Sequence, residues 1–303
     1  MEKVSIVIPT FNRSSSVKKA VESVLNQTYQ NFELIIVDDN SNDDTRETIS
    51  ILKDRRIRYH RNKKNLGGSA SRNVGINMAS SKFIAFLDDD DEWLPEKLEK
   101  QIHILEKTKS DFCGVFTGFK YLKEGKVIKR TIPQKEGDLY RDLLWSNCIG
   151  TTSIFLVKKS CLSEIGNFNE KLPASQDWDL YLRLARKYKF KVIQEPLVNY
   201  CVHEGEQISD SYQKKLASLE YMYENNKNEI VKFKKIHGNH LYNLSIFELL
   251  NSNRENALNY VKKSVEINPL NIKYWGLLFL IKFYPNFYFK IGGLDRQYNI
   301  FKK

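Results

Sequence analysis

Four consecutive aspartates, Asp88 to Asp91, directly follow the largely apolar segment 82–87. An apolar run of this kind is typical of a buried strand. Carboxylates packed this closely repel one another, and each therefore has a reason to stay protonated. A divalent cation relieves that repulsion, because Mg²⁺ and Mn²⁺ prefer oxygen ligands. The pattern predicts a metal site where a strand leaves the core.

The N-terminal third of the chain alternates between strand and helix patterns, which predicts an α/β fold with a mostly parallel sheet between helices. In such sheets, ligands bind at the carboxyl ends of the strands. The polar segments 10–13, 38–40 and 88–91 all fall at predicted strand ends. The predicted strands are 4–8, 32–37, 56–60 and 82–87, and the predicted helices are 14–25, 44–52, 69–79 and 95–105.

Mixed strand and helix patterns continue to residue 205, and helical patterns follow it. We therefore expect an α/β domain over residues 1–208 and an α-helical C-terminal region over 209–303. The further predicted elements are a hairpin of 112–121 and 126–132, strands at 152–157 and 197–202, and helices at 177–188, 212–231, 240–250, 254–267 and 272–281.

Composition excludes some classes of protein. A hydrophobic content of 41% argues against disorder, and the net charge of +11 names no partner by itself. No Lys/Arg run with interleaved aromatics lies in the α/β part, which argues against nucleic-acid binding. The four cysteines lack zinc spacing, so we expect buried thiols in a reducing compartment. The apolar start, residues 4–9, is too short for a signal peptide. We expect a cytoplasmic protein, or one peripheral on the cytoplasmic face of the membrane.

Five segments resemble the motifs of the family 2 glycosyltransferases of the GT-A fold. The order of the five motifs is more specific than any one of them, and no GxGxxG or P-loop motif competes. The resemblance implies a catalytic domain over 1–208 that transfers a sugar with inversion from a nucleotide donor, a UDP-sugar, to an acceptor hydroxyl in cell-surface polysaccharide or glycan biosynthesis. The segments are 5–13, 37–45, 65–75, 86–93 and 176–183.

On the donor side, the resemblance assigns Asp88 and Asp90 to the DxD motif. Asp90 would hold Mn²⁺ or Mg²⁺ between the two donor phosphates, and Asp88 would share the metal or face the ribose. Asp39 would accept a hydrogen bond from the uracil ring, and His203 is a further metal candidate. The other predicted donor contacts are Pro9, Thr10, Asn12, Asn65, Arg72 and Asp89.

Each donor-side assignment has a structural alternative. The acidic run could cap the following helix, because carboxylates favour helix N-termini. We expect that role for Asp89 and Asp91, which would also shape the turn. The segment 38–41 has the composition of a turn, and that reading is compatible with base recognition by Asp39. A lone histidine such as His203 is more often structural or solvated.

On the acceptor side, Asp177 matches the general base of the family. Such a base must lie within hydrogen-bond reach of the attacking hydroxyl. Many relatives have Glu before this aspartate, whereas this chain has Gln176. Asp179 is the alternative base, and both acids could instead stabilise the first turn of a helix.

The C-terminal segment 275–291 is aromatic and basic but falls short of the roughly 20 apolar residues that a membrane span requires. Residues 273–303 could contact a membrane surface, where a lipid-linked glycan acceptor would lie, or could form the last packing helix of the appendage. For the whole chain, the alternatives are a catalytically silent nucleotide- or sugar-binding module and a nucleotidyltransferase. Asp177 argues against a silent module, because such a module needs no base.

Overall fold

The structure is a computed structural model that describes residues 2–202 and 211–283. The chain divides into two compact units. The first comprises Met1–Glu170 and Gln176–Glu204, and the second comprises Lys171–Ser175 and Gly205–Lys303. The boundary predicted at residue 208 lies outside the described residues.

The first unit is a sheet with helices against it. Its strands are β1 (Val4–Thr10), β2 (Phe32–Asp38), β3 (Ile57–Arg61), β4 (Phe83–Phe86), β5 (Glu92–Trp93), β6 (Phe112–Lys123), β7 (Lys126–Thr131), β8 (Phe155–Lys158) and β9 (Lys189–Cys201). Its helices are α1 (Ser14–Leu25), α2 (Thr45–Ile51), α3 (Gly68–Met78), α4 (Lys97–Leu105), α5 (Tyr140–Trp145), α6 (Lys159–Ile165) and α7 (Gln176–Ala185).

The sheet order is β3-β2-β1-β4-β8-β6-β9-β5, and β7 pairs with β6. The four strands β3, β2, β1 and β4 are parallel, which confirms the predicted parallel sheet. Beyond β4 the pairing is mixed, because β8 is antiparallel to both β4 and β6 while β9 is parallel to β6. Every residue of β1, β2 and β4 in the parallel half is buried, as expected for strands between two layers of helices.

Parallel pairing brings the polar segments of the sequence to one edge. Thr10 lies opposite Asp38 in the β1–β2 register, and Val7 lies opposite Phe86 in the β1–β4 register. The segments that follow β1, β2 and β4 therefore start side by side. This placement carries Asp39 and Asp88 to the same edge of the sheet.

Several predicted elements differ from the structure. Residues Thr152–Ile154 form a 3₁₀ turn rather than the start of a strand, and the Thr151 side chain caps it by accepting from the Ser153 N–H. The short elements β5, α5 and α6 were not predicted, because two to seven residues show too little periodicity. The predicted burial of the thiols is wrong for Cys148, which is exposed, while Cys113 and Cys161 are buried.

The second unit contains the helices α8 (Tyr212–Ile230), α9 (Lys234–Leu250), α10 (Arg254–Ile267) and α11 (Ile272–Phe283). Helix α9 begins at Lys234 rather than at the predicted residue 240. Part of the core of the unit lies among α9, α10 and α11, and is formed by Ile246, Ala257, Val261, Leu277 and Ile281. None of the helices in the described ranges is both long and apolar enough to cross a membrane.

Helix α3 packs directly on β1 at Gly75. A Cβ atom at this position would lie 2.3 Å from Cγ1 of Val7 and 2.9 Å from Cγ2. Real Cβ atoms do not approach other atoms this closely, so the helix depends on the missing side chain. The close approach sets the height of α3 above the sheet and therefore the position of Arg72, about one turn earlier in the helix.

We expect Gly75→Ala to lower the free energy of unfolding by about 1–3 kcal/mol, because the added methyl group overpacks the contact with Val7. Chemical denaturation measures the change. The matched control is Gly276→Ala in α11, where a Cβ would meet nothing within 4 Å. That variant should be neutral or more stable by up to about 1 kcal/mol, because Ala has the higher helix propensity. Equal stability of Gly75→Ala and wild type would contradict the packing.

Candidate active site

Asp39 holds the loop that leads from β3 into α3. Its carboxylate is buried, and Oδ1 accepts from Asn62 Nδ2 at 2.8 Å and from the Leu66 N–H at 2.9 Å. Oδ2 accepts from the Gly67 N–H at 2.7 Å. A carboxylate offers about four acceptor positions, so one on Oδ2 is left for a further donor. Asn65, which is exposed, lies in this same loop.

The loop after β1 is joined to the loop after β2 through Asn12. Its side-chain Oδ1 accepts from the Asn42 N–H at 2.7 Å, and its own N–H donates to Ser41 Oγ at 2.9 Å. Asn12 has a φ of 52°, a conformation that Asn tolerates better than most residues. Pro9 and Thr10 are buried within β1, so they support this edge from the inside.

The predicted turn at 38–41 is present. The Ser41 N–H donates to Asp38 Oδ1 at 2.7 Å, a local side-chain-to-backbone bond that stabilises the turn. The hydroxyl of Tyr59 donates to the other oxygen of Asp38. Asp38 therefore shapes the turn, and Asp39 next to it holds the loop before α3.

Asp88 accepts hydrogen bonds on both oxygens of its carboxylate. Arg72 Nη2 and Thr152 Oγ1 donate to its Oδ1, the latter at 3.1 Å, and Thr151 Oγ1 donates to Oδ2 at 3.2 Å. Burial opposes ionisation here, but the Arg72 charge and the hydroxyl donors outweigh it, so the pKa of Asp88 lies below its ordinary value. Asp88 is therefore an ionised partner of Arg72.

Arg72 connects this acid to the helix that carries the predicted base. Its Nη1 donates to Gln176 Oε1 at 3.3 Å, and its guanidinium lies 5.5 Å from the ring centre of Phe168. Gln176 is the first residue of α7. Gln176 therefore accepts a hydrogen bond from Arg72 without adding a negative charge.

Asp89 and Asp90 share one arginine. Arg13 Nη1 lies 2.9 Å from Asp89 Oδ1 and 2.5 Å from Asp90 Oδ2. Burial raises the pKa of Asp89 to about 6; Arg13 opposes this shift, and the charge of Asp90 adds to it. The Arg13 guanidinium therefore joins the loop after β1 to the acidic run.

Asp91 points into the core. The hydroxyl of Ser153 donates to its Oδ2 at 2.6 Å, and the Cys201 N–H donates to Oδ1 at 3.3 Å. Burial and then the charges of Asp88 and Asp90 raise the pKa of Asp91 well above its ordinary value. The side chain is 1% exposed, too deep to contact a ligand in solution.

The acidic run does not cap the helix that follows it. Helix α4 begins at Lys97 after Glu96, whose side chain makes no cap hydrogen bond, and the Leu98 N–H of the first turn donates to Gln27 Oε1 at 3.0 Å. The prediction that Asp89 and Asp91 cap this helix is wrong, because each makes stronger bonds elsewhere in the fold. The predicted turn does form, since the Asp91 N–H donates to the Asp88 carbonyl oxygen at 3.0 Å.

Asp177 lies in the first turn of α7. Its Oδ1 accepts from the Trp178 N–H at 2.7 Å, and its Oδ2 accepts from Asn147 Nδ2 at 3.1 Å. Burial raises the pKa of Asp177 to about 6; the Trp178 N–H opposes the shift, and the charge of Asp88 adds to it. A carboxylate with this pKa is ionised at neutral pH but is a stronger base than an ordinary aspartate, as a general base requires.

Asp179, the alternative base, is engaged in the fold. Its carboxylate pairs with Arg183 one helical turn later, at 2.7 Å from Nη2 and 2.8 Å from Nε, and the residue is buried. Trp93 and Trp178 are also buried, and their ring N–H groups donate to main-chain carbonyls. These three residues support the site rather than face it.

Some site residues had no signal in the sequence. Asn62 and Asn147 lie outside every motif, and only the fold brings them to Asp39 and Asp177. His203 lies outside the described residues. Within 2–202 and 211–283, no group of three or more His, Cys, Asp and Glu side chains could by itself hold a metal ion.

The fold is similar to that of solved structures. A Staphylococcus aureus TarS fragment in complex with UDP-GlcNAc superposes with a TM-score of 0.67 at 15% identity, covering 98% of this chain and 92% of the other. A mannosyltransferase from Pyrobaculum calidifontis in complex with GDP-Man and Mn²⁺ superposes with a TM-score of 0.60 at 14% identity, covering 98% and 87%. These likenesses confirm the predicted GT-A fold.

Relatives found by sequence comparison share a higher identity with this chain than these structures do. An uncharacterised glycosyltransferase of Methanocaldococcus jannaschii is 36% identical, over 65% of this chain and 70% of its own length. A UDP-Glc:α-D-GlcNAc-diphosphoundecaprenol β-1,3-glucosyltransferase of Escherichia coli is 31% identical, over 63% and 72%. Matches to Rickettsia relatives span about a third of those longer proteins or less.

The family model described as Glycosyl transferase family 2 matches residues 5–165, just over half of the 303 residues. The chain is therefore a family 2 glycosyltransferase.

Proposed function

We propose that this enzyme transfers glucose with inversion from UDP-glucose to a hydroxyl group of a diphosphoundecaprenol-linked glycan, in surface polysaccharide biosynthesis. The observation that carries the proposal is the chain of contacts from Asp88 through Arg72 to Gln176, beside the base Asp177. These contacts support a single site that holds both the proposed donor-side acid and the proposed acceptor-side base. The named relatives of Escherichia coli and Campylobacter jejuni are β-1,3-glucosyltransferases with undecaprenol-linked substrates.

The proposed reaction has one displacement. The acceptor hydroxyl oxygen forms a bond to the anomeric carbon from the face opposite the diphosphate, and the bond from that carbon to the phosphate oxygen breaks. The electron pair of the broken bond leaves with UDP. The hydroxyl proton passes to the Asp177 carboxylate, whose pKa of about 6 lets it accept the proton at neutral pH.

The donor would bind along the edge formed by β1, β2 and β4. Asp39 is placed to accept from the uracil ring N–H, because one acceptor position of its Oδ2 remains. The guanidinium groups of Arg13 and Arg72 lie at the acidic run, where the diphosphate would enter. Arginine suits a phosphate because its fork donates two hydrogen bonds at once.

The residues present fit a divalent cation, Mn²⁺ or Mg²⁺. Asp88, Asp89 and Asp90 bring three carboxylates together directly after β4, and carboxylate oxygens are ligands that these ions prefer. Such ions are commonly bound by one or two carboxylates together with the phosphates of a substrate, so a three-residue protein cluster is not needed. Asp90 and Asp88 are the residues that would hold the ion. When bound, it would offset the negative charge of the leaving diphosphate.

Helix α11 offers a surface for the membrane that carries such an acceptor. Ile272, Trp275, Phe279 and Phe283 recur at helical spacing, and each is at least half exposed. Lys273 and Lys282 belong to the same helix and suit anionic headgroups. We place this contact at the described part of the predicted segment 273–303, since residues 284–303 lie outside the described residues.

We expect Asp177→Asn to lower transfer from UDP-glucose by at least about 100-fold while UDP binding, measured by calorimetry, is retained. The same variant should be more stable than wild type near neutral pH. The folded-state pKa of Asp177 is raised, so wild type loses stability as the pH rises from the ordinary aspartate value towards 6. The gain in Tm should be a few degrees at about pH 7.5 and absent near pH 4.

Asp179→Asn is the control for this stability change. It makes the same substitution two residues along α7, but it removes the buried partner of Arg183. Its Tm should therefore fall at neutral pH. Full transfer activity in Asp177→Asn, or loss of its UDP binding, would contradict the role of the base.

We expect EDTA to abolish transfer and Mn²⁺ to restore it, and Asp90→Asn to need much more Mn²⁺ for half-maximal activity. The reason is that Asp90 is a proposed ligand and the amide carries no charge. Glu92→Gln is the matched control, because it removes one charge two residues along the chain from Asp90 without changing a proposed ligand. Undiminished activity in EDTA would contradict the proposed role of the metal.

We expect the protein to float with phosphatidylglycerol vesicles and less with phosphatidylcholine vesicles, and the double variant Trp275→Ser/Phe279→Ser to lose flotation. Interfacial binding depends on the buried apolar area together with attraction to anionic lipid. The control is Leu270→Ser, since Leu270 is 91% exposed and precedes α11. Equal flotation of the double variant and wild type would remove α11 from the contact.

A further inference from the structure

The base Asp177 has a partner outside all five motifs. Asn147 lies in the segment between α5 and the 3₁₀ turn, and its Nδ2 donates to Asp177 Oδ2 at 3.1 Å. The same Nδ2 donates to the Gly150 carbonyl oxygen at 3.1 Å. The second oxygen of Asp177 is held by the Trp178 N–H, so both oxygens of the base have a defined donor.

The orientation of the Asn147 amide is fixed by the main chain. Its Oδ1 accepts from the Gly150 N–H at 2.9 Å and from the Ile149 N–H at 3.2 Å. A flipped amide would turn its NH₂ group towards these two N–H donors and its oxygen towards the Asp177 carboxylate, and would lose every one of these bonds. The side chain at 147 can therefore only donate towards the base.

The turn that carries Asn147 is itself constrained. Gly150 has a φ of 119°, and a Cβ there would lie 3.1 Å from the Phe119 ring, so the position requires glycine. Directly after this turn, Thr151 and Thr152 donate to Asp88. One short segment thus fixes the carboxylate of the base at one end and that of the donor-side acid at the other.

We propose that Asn147 is a positioning residue that aims the Asp177 carboxylate at the acceptor hydroxyl. The proposal rests on the proposed function, in which Asp177 is the base. A carboxylate in the first turn of a helix can rotate about two side-chain bonds. A fixed donor on Oδ2, together with the Trp178 N–H on Oδ1, leaves the carboxylate one orientation and sets which lone pairs remain for the proton.

Asn147 also favours the ionised form of the base, because a hydrogen bond to a carboxylate stabilises its charge. Other groups act on Asp177 from the surrounding elements. Asp88 beyond β4 opposes its ionisation, Arg72 of α3 favours it, and the phenol of Tyr181 lies within electrostatic range on α7 itself. The neutral amide differs from these groups in contacting the carboxylate directly.

The variant Asn147→Asp tests the role of Asn147 Nδ2 as a hydrogen-bond donor to Asp177. The new carboxylate keeps an acceptor for the Ile149 and Gly150 N–H groups, but it places an acceptor where Nδ2 donated. We expect the acid limb of the pH profile of kcat to move upward by about one unit or more, because two facing carboxylates raise the pKa of Asp177. At about pH 6.5, kcat should fall by about 10- to 100-fold, with the KM for UDP-glucose unchanged.

Asn147→Ala provides the second variant if the aspartate disturbs the fold. It should also lower kcat by about 10-fold or more and move the acid limb upward by less than the aspartate does. UDP release from UDP-glucose with Mn²⁺ supplies the rate, with GlcNAc-diphosphoundecaprenol in detergent as the acceptor. A loss of Tm and kcat in both variants with the acid limb unmoved would show that Asn147 only holds the turn, and would overturn the proposal.

A titration by NMR separates this proposal from the proposed function. With ¹³C-labelled aspartate, the Asp177 carboxyl resonance is the one missing from Asp177→Asn, and its midpoint should rise from about 6 in Asn147→Asp. If Asp177→Asn retains full transfer, the proposed function fails whatever the titration shows. If Asp177→Asn is inactive but neither the midpoint nor the pH profile moves in the Asn147 variants, the positioning role alone fails.

Discussion

The site depends on how arginines pair with the carboxylates of the acidic run. Arg72 pairs with Asp88, whereas Arg13 lies beside both Asp89 and Asp90. The pairing is uneven. Asp88 has an arginine of its own and a lowered pKa, whereas Asp89 shares an arginine and has a raised pKa. Residues of one chemical type acquire different roles from these surroundings, which is how paired acids divide the work of catalysis in other enzymes.

The direction of the strands brings these charged side chains close together. The strands β1, β2 and β4 are parallel, so the loops after all three start at the same edge. The close contact of α3 with β1 at Gly75 then brings Arg72 to Asp88. A side chain at Gly75 would lift the helix, and the arginine would move away from the acid. A packing contact in the core therefore sets the electrostatics of the site.

The sequence was sufficient to predict the parallel half of the fold and the edge of the sheet at which the candidate site residues lie. The apolar runs of β1, β2 and β4 are continuous, and the motifs that follow them are dense in Asp and Asn, so strand ends and polar segments coincide. Contacts between residues that are far apart in the sequence leave no recognisable pattern in it. The acidic run suggested a helix cap, but Ser153 and Cys201 draw Asp91 inward over sequence separations of 62 and 110 residues. Local pattern cannot reveal partners at that distance.

The departure at Gln176 follows from the same charge pairing. Arg72 already pairs with Asp88, and the pKa of the nearby Asp177 is already raised. A glutamate at 176 would place another negative charge next to Asp177, which would raise the pKa of Asp177 further unless Arg72 moved towards the new acid and away from Asp88. The amide oxygen of Gln176 accepts the same arginine hydrogen bond with no net charge. In this chain, therefore, Arg72 can neutralise Asp88 while Asp177 keeps a pKa of about 6 and is ionised at neutral pH.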